Sequence, residues 1–146
     1  MPPSKYSRGL VAAQVTLIGI ILTTGPIVAG SAILQIVEAV GGLLGLWAIL
    51  TVGLTRVRIW PEVGEHARLI MHGPYRLLRH PMYTSVLLVT LILVANAPSL
   101  FRWATWCALV VVLVLKLLHE ERLLAQAFPE YRPYREKTWR LLPFLW

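Results

Sequence analysis

The sequence predicts an all-α, polytopic membrane protein of about four transmembrane helices, and three observations carry that expectation. Hydrophobic residues make up 57% of the 146-residue chain and charged residues only 14%, where soluble domains carry roughly 25%, and the mean hydropathy is +0.66. Four apolar stretches follow one another along the chain. The basic residues collect on one side of those stretches. A chain of this length has room for a few spans and little else, so a single domain over residues 1–146 is expected.

The first apolar stretch covers about 10–28 and the second about 32–54, each meeting the ~20 residues that a helix needs to cross the hydrocarbon core. Gly25-Pro26 is expected to kink or end the first helix. That first run is long and lacks a cleavage site, which predicts a membrane helix rather than a signal peptide. The third stretch, 83–97, is short, and the fourth covers 101–118. Asn96-Ala97-Pro98-Ser99 between them is a turn signal ending in a helix-starting Ser, so the pair is expected to form a tight helical hairpin. Residues 120–127 are expected to continue the fourth helix until Pro129 and Pro133 interrupt it.

With four spans, Lys5, Arg8, Arg56, Arg58, Arg68, Arg76 and Arg79 share one side with Lys116, Arg122, Arg132, Arg135, Lys137 and Arg140. Arg102 alone falls on the other. The positive-inside rule then puts both termini and the loop 55–82 in the cytoplasm. The net charge of +7 is thereby a topology signal with some attraction to anionic lipid. A nucleic-acid role is not expected, since no basic stripe or fold motif accompanies the charge.

Two polar clusters flank the predicted hairpin. Gly73-Pro74-Tyr75-Arg76-Leu77-Leu78-Arg79-His80-Pro81-Met82-Tyr83 leads into the third span, and His119-Glu120-Glu121-Arg122 closes the fourth. Polar and ionisable groups at the mouth of a membrane segment are costly unless function requires them, and a hairpin brings these two clusters together. Glu120 and Glu121 supply negative charge; Arg79 and His80 supply donors; Tyr75, Tyr83, Leu69 and Ile70 supply flat or apolar surface. Such a pocket suits a zwitterionic or cationic ligand with an aromatic ring. S-adenosylmethionine has those parts, and so, in part, do nucleotides and lipid headgroups.

Several features have plainer readings. Gly41-Gly42-Leu43-Leu44-Gly45 sits mid-span with no strand before it, which favours close helix packing over a nucleotide loop. Glu38, near the outer end of the second span, reads as a snorkelling or helix-pairing residue rather than a transport residue. Cys107 has no partner for an internal disulfide. His66, His72, His80 and His119 are all on the cytoplasmic side, but no HExxH is present, so no metal site is expected. The tail 131–146 interleaves aromatics with cations; it either lies on the membrane interface or covers the site.

Gly73-Pro74-Tyr75-Arg76, Arg79-His80-Pro81-Met82-Tyr83, Glu120-Glu121, Phe128-Pro129-Glu130-Tyr131, Tyr134 and Leu142-Pro143-Phe144 occur in one order. In that order and spacing, from about residue 66 onward, the chain resembles the isoprenylcysteine carboxyl methyltransferase family and its phospholipid methyltransferase relatives. The resemblance implies S-adenosyl-L-methionine as cofactor, bound by Tyr75, His80, Pro81, Met82, Tyr83 and Glu120 and lined by Ala67, Arg68, Leu69 and Ile70. Eukaryotic members carry a substrate-contacting arginine where this chain has Lys116, which keeps the charge and loses the planar fork. The N-terminal half is also shorter than in those members.

The function expected is S-adenosylmethionine-dependent methylation of a lipophilic or small amphipathic acceptor that enters from the bilayer. Lys116 and Arg79 would meet an anionic acceptor such as a carboxylate, and Glu121 is the nearest base for an amine or thiol. Trp139, Phe144 and Trp146 would form a lid at lipid level. Two other classes compete: a nicotinamide-dependent membrane reductase, through the similar RHPxY element of a related family, and a non-enzymatic membrane subunit whose polar span ends are anchors.

Overall fold

The structure is a computed structural model and describes residues 4–54, 61 and 69–143. Five α-helices and one 3-10 turn occur among them: α1 (Lys5–Thr23), α2 (Ala32–Val52), the turn Gly73–Arg76, α3 (Pro81–Asn96), α4 (Leu100–Ala127) and α5 (Tyr131–Glu136). His66, Ala67, Arg68, Phe144 and Trp146 lie outside the described residues.

The three long helices begin alike. Ser4, Ser31 and Ser99 each use a hydroxyl to accept a backbone N–H of the first turn, from Ser7, Leu34 and Arg102 respectively, so each start satisfies an otherwise orphaned donor. α3 begins instead with Pro81 in its first position, where a missing N–H costs nothing. α1 starts earlier than the apolar pattern predicts, because Ser4 caps a polar first turn, and it stops at Thr23, just before Gly25-Pro26. α1, α2 and α4 are long and apolar enough to cross a membrane. α3, with 16 residues, is the shorter fourth. At ~1.5 Å per residue it is about 24 Å long, against about 42 Å for the 28-residue α4. The surplus of α4 carries Glu120 and Glu121 beyond the apolar stretch.

α3 and α4 are antiparallel neighbours, as the Asn96–Ser99 turn predicts. The Trp106 indole N–H reaches the Leu87 carbonyl, and Tyr83 reaches Glu120. Their packing is nevertheless looser than a tight hairpin. The most extensive contacts pair α2 with α3 and α1 with α4. Small residues explain the first pairing. Ser85 donates from Oγ to the Gly41 carbonyl at 2.7 Å, a Cβ on Gly41 would come within 2.9 Å of Val89 Cγ2, and one on Gly45 would run into Ser85 Oγ. The glycine run is thus a helix-packing surface. Ile21, Leu93, Val94, Leu109 and Leu113 form the buried core shared by α1, α3 and α4.

The end of the bundle away from the two polar clusters is tied by polar contacts. Arg102 is buried and donates to the Ile21 and Leu93 carbonyls and to Thr24 Oγ1. Glu38 accepts from the Ala29 N–H, and Asn96 from that of Gly30. Glu38 is therefore a pairing residue for the α1–α2 loop.

Gly45→Ala should destabilise the protein by roughly 1–3 kcal/mol through overpacking against Ser85. Gly42→Ala, where a Cβ meets nothing within 4 Å, should leave thermal denaturation in detergent unchanged. Equal melting curves for the two variants would remove the α2–α3 seam from this account.

Candidate active site

The two polar clusters meet. His80 closes the segment before α3 and is buried at 5% exposure. Its Nδ1 lies 3.9 Å from Glu120 Oε2, and its Nε2 lies 3.4 Å from Glu121 Oε1 without hydrogen-bond alignment. Its ring stacks on Tyr83, with centroids 5.4 Å apart and planes 5° from parallel. Pro81 is buried behind them, Met82 is half-buried beside them, and Leu69, Ile70 and Tyr75 are half-buried in the preceding segment.

The adjacent glutamates have different surroundings. Glu121 is enclosed: Arg79 Nε donates to its Oε1 at 2.8 Å and Arg140 Nε to its Oε2 at 3.1 Å, and its side chain is 6% exposed. Glu120 receives the Tyr83 hydroxyl at 2.7 Å and keeps 29% side-chain exposure. Among the described residues no Arg or Lys nitrogen lies within ion-pair distance of Glu120. One carboxylate is neutralised by two guanidiniums; its neighbour is held by a phenol, with no Arg or Lys among the described residues in ion-pair contact with it.

Arg79 is also committed elsewhere. Its Nη1 donates to the Arg135 carbonyl at 2.8 Å and to the Thr138 carbonyl. These contacts belong to the tail, which covers this end of the bundle. Leu78 and Trp139 form a parallel β-bridge. The Arg79 N–H donates to the Trp139 carbonyl at 2.7 Å, that of His80 to the Arg140 carbonyl at 3.1 Å, and Thr84 Oγ1 to the Leu141 carbonyl at 2.7 Å. α5 adds Tyr134, whose hydroxyl donates to the Tyr75 carbonyl at 2.7 Å. Burial pushes the Tyr134 phenol up to about 12, so it remains a donor. Burial first, and then the charge of Glu120, likewise hold the Tyr75 phenol protonated.

Lys116 is buried one turn before Glu120, donates to Gln14 Oε1 at 2.7 Å, and lies 5.2 Å from the centroid of the Tyr83 ring. His119 packs edge-on against Tyr6. The sequence pattern thus locates Tyr75, Tyr83, His80, Glu120 and Lys116 at one end of the bundle. It misses Arg140 as the second partner of Glu121 and Gln14 as the partner of Lys116. Gln14 carried a usable signal, an amide inside an apolar run. Arg140 did not, because its contact depends on how the tail folds back.

With respect to S-adenosylmethionine, the residues present fit. The open carboxylate of Glu120 suits a cation, the protonated Tyr75 phenol suits an acceptor atom, and Leu69, Ile70 and Met82 offer apolar contact to a flat ring.

Residues 31–131 match the phospholipid methyltransferase family, and the chain belongs to that family. It is also similar to the cobalt-zinc-cadmium resistance protein CzcN of Cupriavidus metallidurans, with 33% identity over 105 residues, covering 71% of this chain and 48% of the relative. The chain spans about half the length of that curated relative. No solved structure matches it significantly.

Breaking a buried ion pair from one side costs roughly 3–5 kcal/mol. Glu121→Gln should therefore lower the melting temperature and expose the segment 136–141 to limited proteolysis. Glu120→Gln should do neither. A tail that stays protected in Glu121→Gln would show that the backbone bridge alone secures it.

Proposed function

We propose that the chain is an S-adenosyl-L-methionine-dependent membrane methyltransferase acting on a lipophilic or amphipathic acceptor, with a carboxylate as the preferred nucleophile and an amine or thiol as the alternative. The observation that carries this reading is the division between the two glutamates at the site of a phospholipid methyltransferase family member. S-adenosylmethionine supplies, when bound, a methyl group activated on a sulfonium centre.

The chain's own residues supply alignment and exclusion of water, which in favourable cases lower such barriers by roughly 7–11 kcal/mol. Glu120 balances cofactor positive charge, and Tyr83 fixes that carboxylate through its hydroxyl. Pro81 sets the start of α3 and with it the place of Tyr83. His80 and Tyr83 form a stacked wall, Leu69, Ile70 and Met82 line the apolar side, and Tyr75 offers a donor. Glu121 and Arg79, engaged with each other and with the tail, act as positioning residues rather than as base and acceptor-binding group. Lys116 meets the anionic head of the acceptor. A carboxylate acceptor needs no base, which fits a site whose buried carboxylate is already neutralised. The basic residues at this end of the bundle support a cytoplasmic face for the site.

Calorimetric titration of the detergent-purified chain with S-adenosylmethionine tests the reading. A charge-assisted contact is worth about 1.5–3 kcal/mol, so Glu120→Gln should weaken binding by about 10- to 100-fold. Glu130→Gln, altering an exposed carboxylate, should change it less than about twofold. Binding of NADPH with none of S-adenosylmethionine would move the chain to the reductase class. Lys116→Ala should lower kcat/KM for the acceptor while cofactor affinity stays nearly unchanged; turnover unaffected by that substitution would remove Lys116 from the acceptor side.

A further inference from the structure

Lys116 is a buried charge with few partners among the described residues. It is 2% exposed and its ammonium carries three donors. The described residues give it one hydrogen bond, to Gln14 Oε1, and the face of the Tyr83 ring. No carboxylate among them stands within ion-pair distance. The charge of Glu120 reaches it only from beyond that distance, and a buried intramembrane cation that retains donors is costly and is by default a candidate for a binding site. Arg102 provides a contrast within the same bundle: it too is buried, and although its Nε has no partner among the described residues, its guanidinium donates to two carbonyls and a hydroxyl.

We propose that Gln14 is a positioning residue for an acceptor-side anion site, in which it holds Lys116 against Tyr83 so that the ammonium receives the carboxylate head of an amphipathic acceptor. The proposal deepens the methyltransferase reading and rests on it. Gln14 lies on α1, outside the residues 31–131 that match the family, so the first helix contributes acceptor selectivity to a site otherwise built by α3, α4 and the tail. An amide suits this task. Its oxygen fixes one of the three ammonium protons and the direction of a flexible four-carbon stem, and it leaves the positive charge intact for the ligand. A carboxylate at the same position would pair with Lys116 and cancel that charge. Tyr83 joins the two sides: its hydroxyl holds Glu120 and its ring faces Lys116. The acceptor head would thereby face the side of the site where Glu120 would hold the cofactor's positive charge.

The test uses the full chain in dodecylmaltoside, with decanoate as the anionic probe and decanol as its neutral counterpart, both corrected for partition into micelles. The wild-type chain should bind decanoate more tightly than decanol. Gln14→Met, which keeps length and removes the acceptor atom, should weaken decanoate binding by about 5- to 10-fold, the loss of roughly one hydrogen bond, and leave decanol unchanged. Gln14→Glu should abolish the preference for decanoate. Both variants should retain S-adenosylmethionine affinity within about twofold of wild type, which also reports that they are folded. Equal decanoate binding by wild type and Gln14→Met, an equal shift for decanol, or no preference for decanoate in the wild type would overturn the proposal. If the wild type binds no S-adenosylmethionine, the methyltransferase reading fails on its own, and the decanoate preference separately decides whether the anion site exists.

Discussion

One buried carboxylate, Glu121, connects three separate parts of this chain. It comes from α4, and it meets Arg79 from the segment before α3 and Arg140 from the C-terminal tail. Two guanidiniums on one carboxylate, with little solvent access, form a network whose members cannot be removed singly without leaving an uncompensated charge. Around it the backbone follows: the tail lies alongside 78–80 and gives its carbonyls to the N–H groups of Arg79 and His80. Those donors lie outside any long helix, and without the tail they would face a low-dielectric boundary with no partner. The ion network and the short bridge therefore fix the approach to α3. With it they fix Pro81, Tyr83 and the contact of Tyr83 with Glu120.

The different roles of Glu120 and Glu121 follow from helix geometry. Successive residues on an α-helix are turned about 100° from each other. Glu121 faces Arg79 and the tail, while Glu120 faces Tyr83. Chemically identical side chains thus enter environments of opposite character, one neutralised and enclosed, the other held by a phenol and partly open. Rigid support for a polar group comes from residues that do not themselves touch a ligand. The enclosed glutamate is that support, and the open one is left to interact.

Much of this was legible in the sequence, because the membrane imposes strong rules. Apolar runs of the right length gave α1, α2 and α4. Ser99 marked the start of α4, whereas Ser4 starts α1 earlier than the apolar pattern predicts. The clustering of polar groups at span ends located Tyr83, His80 and Glu120 together, since a polar residue beside hydrocarbon has few cheap explanations. The partnerships were less legible. A short turn predicts that α3 and α4 are neighbours, but Gly41 and Gly45 draw α3 more closely onto α2, and no local signal ranks one contact above the other. Arg79 read as a cation for an anionic acceptor because the path of the tail is decided by tertiary contacts, and only that path brings the Arg135 and Thr138 carbonyls to Arg79 and Arg140 to Glu121.

The two ends of the bundle use buried cations in opposite ways. At the far end, Arg102 spreads its donors over carbonyls near the C-termini of α1 and α3, where the helix dipoles place partial negative charge. Its planar fork suits several fixed acceptors at once, and Gly25 leaves room for it: a Cβ there would run into the guanidinium. That arrangement closes the bundle, because the cation is consumed by groups that are always present. Lys116, nearer the site, has a compact head, a flexible stem and a single amide partner. A cation spread over fixed carbonyls holds a fold together; one with a single amide partner keeps donors that the proposed anion site would use.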